Sequence, residues 1–169
     1  MKIYKKFILI FFITISISVR AQVEKMQAAF IYNFTMLVNW PSAYQSGDFV
    51  ISVFGNGPIN KELEDMAKQK KAGNQTIVVK RITSPAEIGN SHIVYVPNTA
   101  KGKVAEVIAK TASTSTLVVT ESEGAGASGS NINFVLVDDK LRFEINEGKA
   151  SAKGLKLAVN LVKLGIPVK

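Results

Sequence analysis

The stretch "TESEGAGASGSNINFVLVDDKLRFEIN", residues 120–146, decides how the chain is interpreted. It contains Gly124, Gly126 and Gly129 in the spacing G-x-G-x-x-G, which in dinucleotide-binding proteins joins a strand to a helix. That helix is essential, because its N-terminal amides receive the phosphate charge. Here a strand-like alternation follows Gly129, and two glutamates precede the glycines. We therefore interpret the glycines as a flexible connection between two strands and predict no nucleotide binding.

The second half of the stretch predicts an antiparallel hairpin around a turn at residues 138–140. After the turn, Leu141, Phe143 and Ile145 alternate with polar residues. This period of two is typical of a strand with one buried face, and the short polar turn allows the two strands to pair directly.

Upstream of the hairpin, short apolar strands alternate with helices. The predicted strands are "FVISVFG", "QTIVVKRI", "HIVYVP" and "STLVVTE". Such strands favour a largely parallel sheet covered on both faces. A first helix, "EKMQAAFIYNFTMLVNWP", ends at Pro41, and a last helix is expected from about Lys149 to Leu164. The predicted fold is a single three-layer α/β domain with a mixed, mostly parallel sheet, a C-terminal antiparallel hairpin, and helices on both faces.

Residues 1–21 have the pattern of a secretory signal peptide. Three lysines precede the uncharged run "FILIFFITISISV", which is shorter than the roughly 20 residues that span a bilayer. We predict cleavage after Ala21, periplasmic export without a stable membrane anchor, and one domain over residues 22–169. The sequence has no cysteine, so the domain contains no disulfide of its own.

Composition and motifs argue against nucleic-acid binding and catalysis. The net charge is +8, but four basic residues and no acid precede residue 22, which leaves +4 for the rest. An exported and only mildly basic chain is not expected to bind nucleic acid. His92 is the sole histidine and starts an apolar strand, where a local structural hydrogen bond is the usual role. No metal-ligand spacing or nucleophile motif is present, so we predict no catalytic residue, no metal and no cofactor.

The last helix is the candidate interaction surface. Taken as one helix, it has an apolar arc wider than one sheet face requires, and the arc includes Leu157, Leu161 and Leu164. Two interpretations remain open: part of this arc contacts another protein, or the helix is wedged between the sheet and the first helix. A second candidate surface on the first helix is formed by Tyr32, Met36 and Trp40.

Four segments together resemble the YfiR/HmsC-like family of periplasmic regulatory proteins (DUF4154 type). They are "KMQAAFIYNFTMLVNWP", "SHIVYVP", "GAGASGSNINFVLVDDKLRFEIN" and "AKGLKLAVNLVKL", in the family's order and over nearly all of residues 22–169. The residues that carry the resemblance are Tyr32, Asn33, Phe34, Trp40, Pro41, His92, Gly124, Gly129, Ile132, Asn133, Phe134, Phe143, Glu144, Asn146, Gly154 and Leu155.

The resemblance implies a function that composition alone does not indicate. It implies a non-catalytic periplasmic regulator that binds and represses the periplasmic sensor domain of an inner-membrane signalling enzyme, typically a diguanylate cyclase of cyclic di-GMP signalling. Self-association into a homodimer is compatible with this role. The disulfide control of some relatives is excluded, because cysteine is absent. The alternative is a periplasmic small-molecule-binding protein that serves a transporter or a sensor kinase.

Overall fold

The computed structural model describes residues 22–169, so the predicted signal peptide and its cleavage site lie outside the described residues. The helices are α1 (residues 22–37), α2 (Pro58–Gln69), α3 (Val104–Lys110), α4 (Glu147–Ala152) and α5 (Val159–Leu164). The strands are β1 (Val38–Asn39), β2 (Phe49–Phe54), β3 (Lys71–Ala72), β4 (Gln75–Ile82), β5 (Ile93–Val96), β6 (Leu117–Thr120), β7 (Ile132–Val137), β8 (Lys140–Ile145), β9 (Lys156–Leu157) and β10 (Ile166–Pro167).

Eight of these strands form one sheet in the order β10-β8-β7-β6-β5-β2-β4-β3. The five central strands are parallel, whereas β8 runs antiparallel to β7 and β3 antiparallel to β4. Asp138 and Asp139 form the hairpin turn with φ of 50° and 58°, the left-handed conformations that a two-residue turn between twisted strands requires. The predicted mixed α/β sheet with a C-terminal hairpin is therefore confirmed.

One face of the sheet carries α1, α2 and the C-terminal helices over a large core. Phe34 of α1 lies 6.1 Å from Phe134 and 5.6 Å from Phe143 between ring centroids, so the first helix packs directly on the hairpin. Phe30 contacts the same two rings at 6.1 and 5.6 Å. Each such aromatic pair contributes about 0.5–1.5 kcal/mol beyond the area it buries.

The opposite face carries α3 over a smaller core. Val104 and Val107 of α3 pack against Val94 of β5 and Val118 of β6, which point away from α1. Successive side chains of a strand alternate between faces, so β2, β5 and β6 each contribute to both cores. This explains why the sequences of these three strands are largely apolar, and it completes the predicted three layers.

The C-terminal region differs from the single predicted helix. The chain leaves α4 through Gly154, which has φ of 75°, a left-handed conformation that glycine adopts without strain. Residues Lys156–Leu157 then pair antiparallel with Val38–Asn39, and only afterwards does α5 begin. Leu157 and Leu161 therefore do not share a helical face. The predicted wide apolar arc was wrong, because it assumed an uninterrupted helical period across Gly154.

The last strand, β10, lies tightly against β8. A Cβ placed on Gly165 would lie 2.6 Å from Ile145 Cγ2 and 2.9 Å from Phe143 Cε2. These distances are below van der Waals contact, and both neighbours are buried. The position therefore requires glycine because of space rather than because of its backbone angles.

We predict that Gly165→Ala lowers the free energy of unfolding by about 1–3 kcal/mol, because the added methyl group overpacks a buried contact. Urea denaturation measures the change. Gly102→Ala is the matched control, since nothing lies within 4 Å of its Cβ position, and it should remain within about 0.5 kcal/mol of the wild type. Equal stabilities of the two variants would contradict the close packing of β10.

Candidate functional site

The polar residues of the "NINF…FEIN" pattern hold the glycine-rich connection against the sheet. Asn133 is fully buried on the α3 face of β7. Its Oδ1 accepts hydrogen bonds from Thr120 Oγ1 at 2.7 Å and from the Ser122 amide at 3.1 Å. Its Nδ2 donates to Glu144 Oε2 at 2.8 Å. A buried amide needs such partners, and here they fix the point where the chain leaves β6.

Two further asparagines anchor the ends of this connection. Asn131, which directly precedes β7, accepts a hydrogen bond through its Oδ1 from the Val118 amide of β6 at 2.8 Å. Asn146 Oδ1 accepts from the Lys149 amide at 3.0 Å and so caps α4, while its Nδ2 donates to the Gly126 carbonyl at 3.4 Å. The connection thus runs from a parallel strand to the hairpin, as predicted, and β7 rather than a helix follows Gly129. The absence of nucleotide binding stays a prediction.

A pocket of about 920 Å³ lies between α3 and this connection. It opens beyond the carboxyl ends of β5 and β6, the edge of a parallel sheet at which ligands commonly bind. Val104 and Ile108 of α3 form an apolar wall, and Asn98 and Lys101, which precede α3, also line the pocket. Ser122 lines the pocket and is 7% exposed, yet its hydroxyl has no hydrogen-bond partner among residues 22–169. A buried hydroxyl without a partner is costly and is a natural contact for a ligand.

Glu121 fixes one side of the pocket to the first helix. Its Oε1 accepts from the Asn98 amide at 2.6 Å, and its Oε2 accepts from Gln27 Nε2 at 2.6 Å. Gln27 in turn accepts from the hydroxyl of Tyr95 at 3.3 Å. Burial raises the pKa of Tyr95 far above its usual range, so this hydroxyl remains a donor. Charge-assisted bonds to one carboxylate therefore connect α1 with the loops that follow β5 and β6.

His92 has the structural role that its position at the start of a strand predicts. Its Nδ1 accepts from the Val50 amide at 3.1 Å, so the proton is on Nε2, which lies 2.7 Å from the Tyr44 carbonyl oxygen. The ring also stacks on Phe49, with centroids 4.2 Å apart. Both nitrogens are thus occupied by backbone groups, and burial lowers the pKa of His92. Neither nitrogen is available to a substrate.

Lys153 lies within the predicted last helix, where helical periodicity places it on the polar side together with Lys149, Lys156 and Lys163. The structure turns its side chain inward, and its Nζ lies 3.2 Å from Thr111 Oγ1. Burial lowers the pKa of Lys153 to about 8. The position follows from the break at Gly154, which directs this side chain toward the end of α3. Helical periodicity alone does not predict that the Lys153 side chain is buried.

The predicted interface residues separate into three environments. Leu161 is 1% exposed and belongs to the core, so it does not contribute to an open surface. Leu157 is half-buried in β9, whereas Leu164 is 58% exposed at the end of α5. On the first helix and just after it, the structure leaves Tyr32 half-buried, Met36 57% exposed and Trp40 buried.

The remaining residues of the family pattern shape the backbone and the core. Fully or nearly fully buried are Phe34, Ile132, Phe134, Phe143 and Leu155. Positive φ angles occur at Gly124, Gly129 and Gly154. Asn33 is exposed and Pro41 half-buried. The pattern therefore specifies mainly packing and loop geometry, and only part of it reaches the surface.

The described part of the chain holds no group of three or more histidine, cysteine, aspartate or glutamate residues that could hold a metal ion. Within residues 22–169, none of the helices has both the length and the apolar character needed to cross a membrane.

Comparison with known proteins places the chain by family and by fold. The profile of the DUF4154 (YfiR/HmsC-like) family matches residues 24–166, in agreement with the resemblance. The structure of an ABC domain in complex with L-Trp from Streptococcus pneumoniae has a TM-score of 0.52 and 13% identity, over 72% of this chain and 55% of that one. A conserved domain protein from Vibrio cholerae O1 biovar El Tor also has a TM-score of 0.52, with 14% identity over 71% of this chain and 54% of that one.

The chain thus spans about half the length of these two solved structures, and at such identities the likeness shows the fold alone. Curated protein sequences provide no match.

The environment of His92 predicts a pH-dependent stability. Because its pKa in the folded protein is lower than the value of 6.5 expected in the unfolded chain, its contribution is fully present above about pH 6.5 and is lost as the pH falls below it. Protonation would place a second N–H against the Val50 amide. Urea denaturation from about pH 8 to pH 5 should therefore give decreasing free energies of unfolding.

His92→Gln is the control, because glutamine does not titrate and the chain has no other histidine. The slope between about pH 7 and pH 5.5 should be shallower in this variant than in the wild type. Identical slopes would show that other groups cause the dependence.

Proposed function

The chain belongs to the YfiR/HmsC-like family, and from that premise we propose that it binds the periplasmic sensor domain of an inner-membrane signalling enzyme and holds the enzyme inactive. The enzyme class that fits best is a diguanylate cyclase. The family is periplasmic and regulatory rather than catalytic. The observation that carries the proposal is the family match, because it extends over residues 24–166 and so includes every layer of the fold.

The chemistry of the described residues supports a binding role. Both ring nitrogens of His92, the one histidine of the chain, are bound to the backbone. Glu121 is engaged by Gln27 and Asn98, and Glu144 by Asn133. A general acid or base must reach its substrate, and these groups already have structural partners.

The surface supports contact with another protein. Large apolar side chains are exposed at several positions of residues 22–169, and the most exposed are Met36, Leu136, Val159 and Leu164. Apolar side chains that remain in water in the isolated chain favour association, because their burial is worth about 25 cal/mol per Å².

A second candidate function is the binding of a small molecule, which the pocket at Ser122 favours. Its volume is in the range of ligand sites, it combines an apolar wall with a few polar groups, and it contains a buried hydroxyl without a partner. L-Trp is a suitable first probe, because the ABC domain of the same fold is described in complex with it.

For the regulator, we predict that deletion of the gene raises the cellular level of cyclic di-GMP and that overproduction lowers it, because a repressor keeps its cyclase inactive. Tagged protein recovered from solubilised membranes should carry with it an inner-membrane protein that has a periplasmic domain and a signalling domain. An unrelated periplasmic protein with the same tag is the control. Unchanged cyclic di-GMP in both strains, with no captured signalling protein, would contradict the proposal.

For the pocket, we predict that saturating L-Trp raises the melting temperature, since a ligand at a hundred times its Kd stabilises by about 2.7 kcal/mol. Ser122→Ala should keep the fold and reduce the shift, because it removes the unpartnered hydroxyl of a residue that lines the pocket. Ser113→Ala is the matched control, as Ser113 is exposed and does not line the pocket. No shift with L-Trp would leave this candidate without support for that ligand.

A further inference from the structure

The hairpin strand β8 has an open edge. On one side it pairs with β7 along its full length, from Lys140 to Ile145. On the other side it pairs with β10, whose two residues reach only Glu144 and Ile145. Residues 140–143 therefore have no neighbouring strand on this side within the described chain.

The direction of the backbone groups along this edge follows from one hydrogen bond. The Ile145 carbonyl accepts from the Val168 amide at 3.0 Å, on the side away from β7. Backbone groups change sides from one residue to the next, so Phe143 and Leu141 point their amides and carbonyls to the same side as Ile145. An unpaired edge of this kind is a template for another strand.

An apolar groove of about 340 Å³ lies directly beside this edge. It is lined by Phe30 of α1, by Leu141, Arg142 and Phe143 of β8, and by Lys163 and Leu164 of α5. Leu164 is 58% exposed, and Leu136, the cross-strand neighbour of Leu141, is 63% exposed. A strand added at the edge would place every second side chain over this groove, because side chains alternate between the two faces.

The other face of the same edge is basic. Arg142 and Lys140 are exposed, and their side chains alternate with those of Leu141 and Phe143. Lys163, also exposed, lies beside the groove. None of the three has an ion-pair partner among residues 22–169. The nearest acids in sequence are Glu144 on the same strand, which is engaged by Asn133 Nδ2 at 2.8 Å, and Asp138 and Asp139, which lie in the turn beyond the last residue pair of the hairpin.

We propose that residues 140–143 of β8 bind an extended segment of a partner protein by strand addition, and that this segment alternates apolar with acidic side chains. The apolar side chains fill the groove between Phe30 and Leu164, and the acidic ones face Arg142 and Lys140. Backbone hydrogen bonds supply affinity, and the two alternating faces supply specificity. The inference rests on the proposed function, because it names the surface through which the regulator contacts its partner.

A second copy of this chain is a poorer occupant of the same edge. Antiparallel pairing of two β8 edges would bring Lys140 and Arg142 of both copies together, and like charges on neighbouring strands are destabilising. Exposed lysine and arginine on an edge strand are a common protection against self-association. The charges therefore favour an acidic partner.

The opposite edge of the sheet does not offer the same site. Residues 77–82 of β4 also extend beyond their edge neighbour β3. There, however, Arg81 is paired with Glu64 at 2.9 Å, and Lys80 Nζ donates to the Glu87 carbonyl at 3.0 Å. The basic groups of that edge are already engaged, so β4 provides an internal control.

The first experiment uses two capped peptides of about six residues, a typical strand length. One alternates valine with glutamate and the other valine with lysine. Anisotropy of the labelled peptides measures binding to the full-length protein, and amide hydrogen exchange by NMR locates it. We expect the glutamate peptide to bind, to protect the Leu141 amide, and to leave residues 77–82 of β4 unchanged.

Two variants test the two faces of the site. Leu164→Glu should weaken binding of the glutamate peptide by about tenfold or more, because it places a charge in an apolar groove. Val159→Glu is its matched control, since Val159 is 69% exposed on the same helix and does not line the groove. Arg142→Glu should weaken binding about fivefold, the value of one well-formed exposed ion pair, whereas Lys110→Glu on α3 should not. Both tested side chains are exposed, so the variants should fold like the wild type.

The inference would be overturned by equal binding of both peptides, by no binding, or by protection confined to β4. It would also be overturned if the wild type and both variants captured the same amount of membrane partner. In that last case the proposed function would stand and only the surface would be wrong. If the wild type captures no signalling protein while the glutamate peptide binds as expected, the surface stands and the proposed function fails.

Discussion

Four phenylalanines at the contact between α1 and the hairpin determine how the rest of the domain is arranged. Phe30 and Phe34 lie one helical turn apart on α1. Each of them contacts both Phe134 and Phe143 of the hairpin. The hairpin lies at one edge of the sheet, where β8 has only the short β10 beyond it. Packing on α1 compensates for this, since an isolated hairpin is only marginally stable in water. The same contact leaves Phe30 partly open beside the β8 edge.

The opposite face of the hairpin depends on buried polar groups instead. Asn133 is enclosed by Thr120, Ser122 and Glu144, and each of its side-chain atoms that can form hydrogen bonds does so. Loss of one member of such a cluster leaves a buried polar group without a partner and destabilises the fold. When all members are present, their hydrogen bonds fix one arrangement of the core. The cluster explains how a glycine-rich sequence forms a defined connection between β6 and β7. Close packing accounts for the middle glycine, since a Cβ on Gly126 would lie 2.5 Å from Glu144 Oε2, whereas Gly124 and Gly129 have positive φ angles.

The sequence predicted those parts of the fold in which one local period dominates. The central strands, the hairpin and α1 follow their apolar patterns, and the alternation after Gly129 correctly predicted a strand rather than a helix at that point. The last helix failed, because Gly154 interrupts a pattern that helical periodicity treats as continuous. β1, β9 and β10 have only two residues each, too few for any period. The inward position of Lys153 and the unpartnered Ser122 hydroxyl depend on tertiary contacts that a single sequence does not encode locally.

The phenylalanine core and the buried Asn133 cluster lie on opposite faces of the same hairpin. This arrangement limits how a regulator of this family can respond to a stimulus. A thiol switch between its own cysteines is excluded, because the sequence contains none. A series of hydrogen bonds runs from the Ser122 amide at the pocket, through Asn133, to Glu144 of β8. Glu144 directly follows Phe143, which lines the apolar groove. A signal can couple two sites only through groups that differ in contact between two states. In this domain the Asn133 cluster is one contiguous connection between pocket and edge, and Glu121 with Gln27 on α1 is another. A coupling carried by the Asn133 cluster would change its hydrogen bonds or the packing of the phenylalanines beneath it.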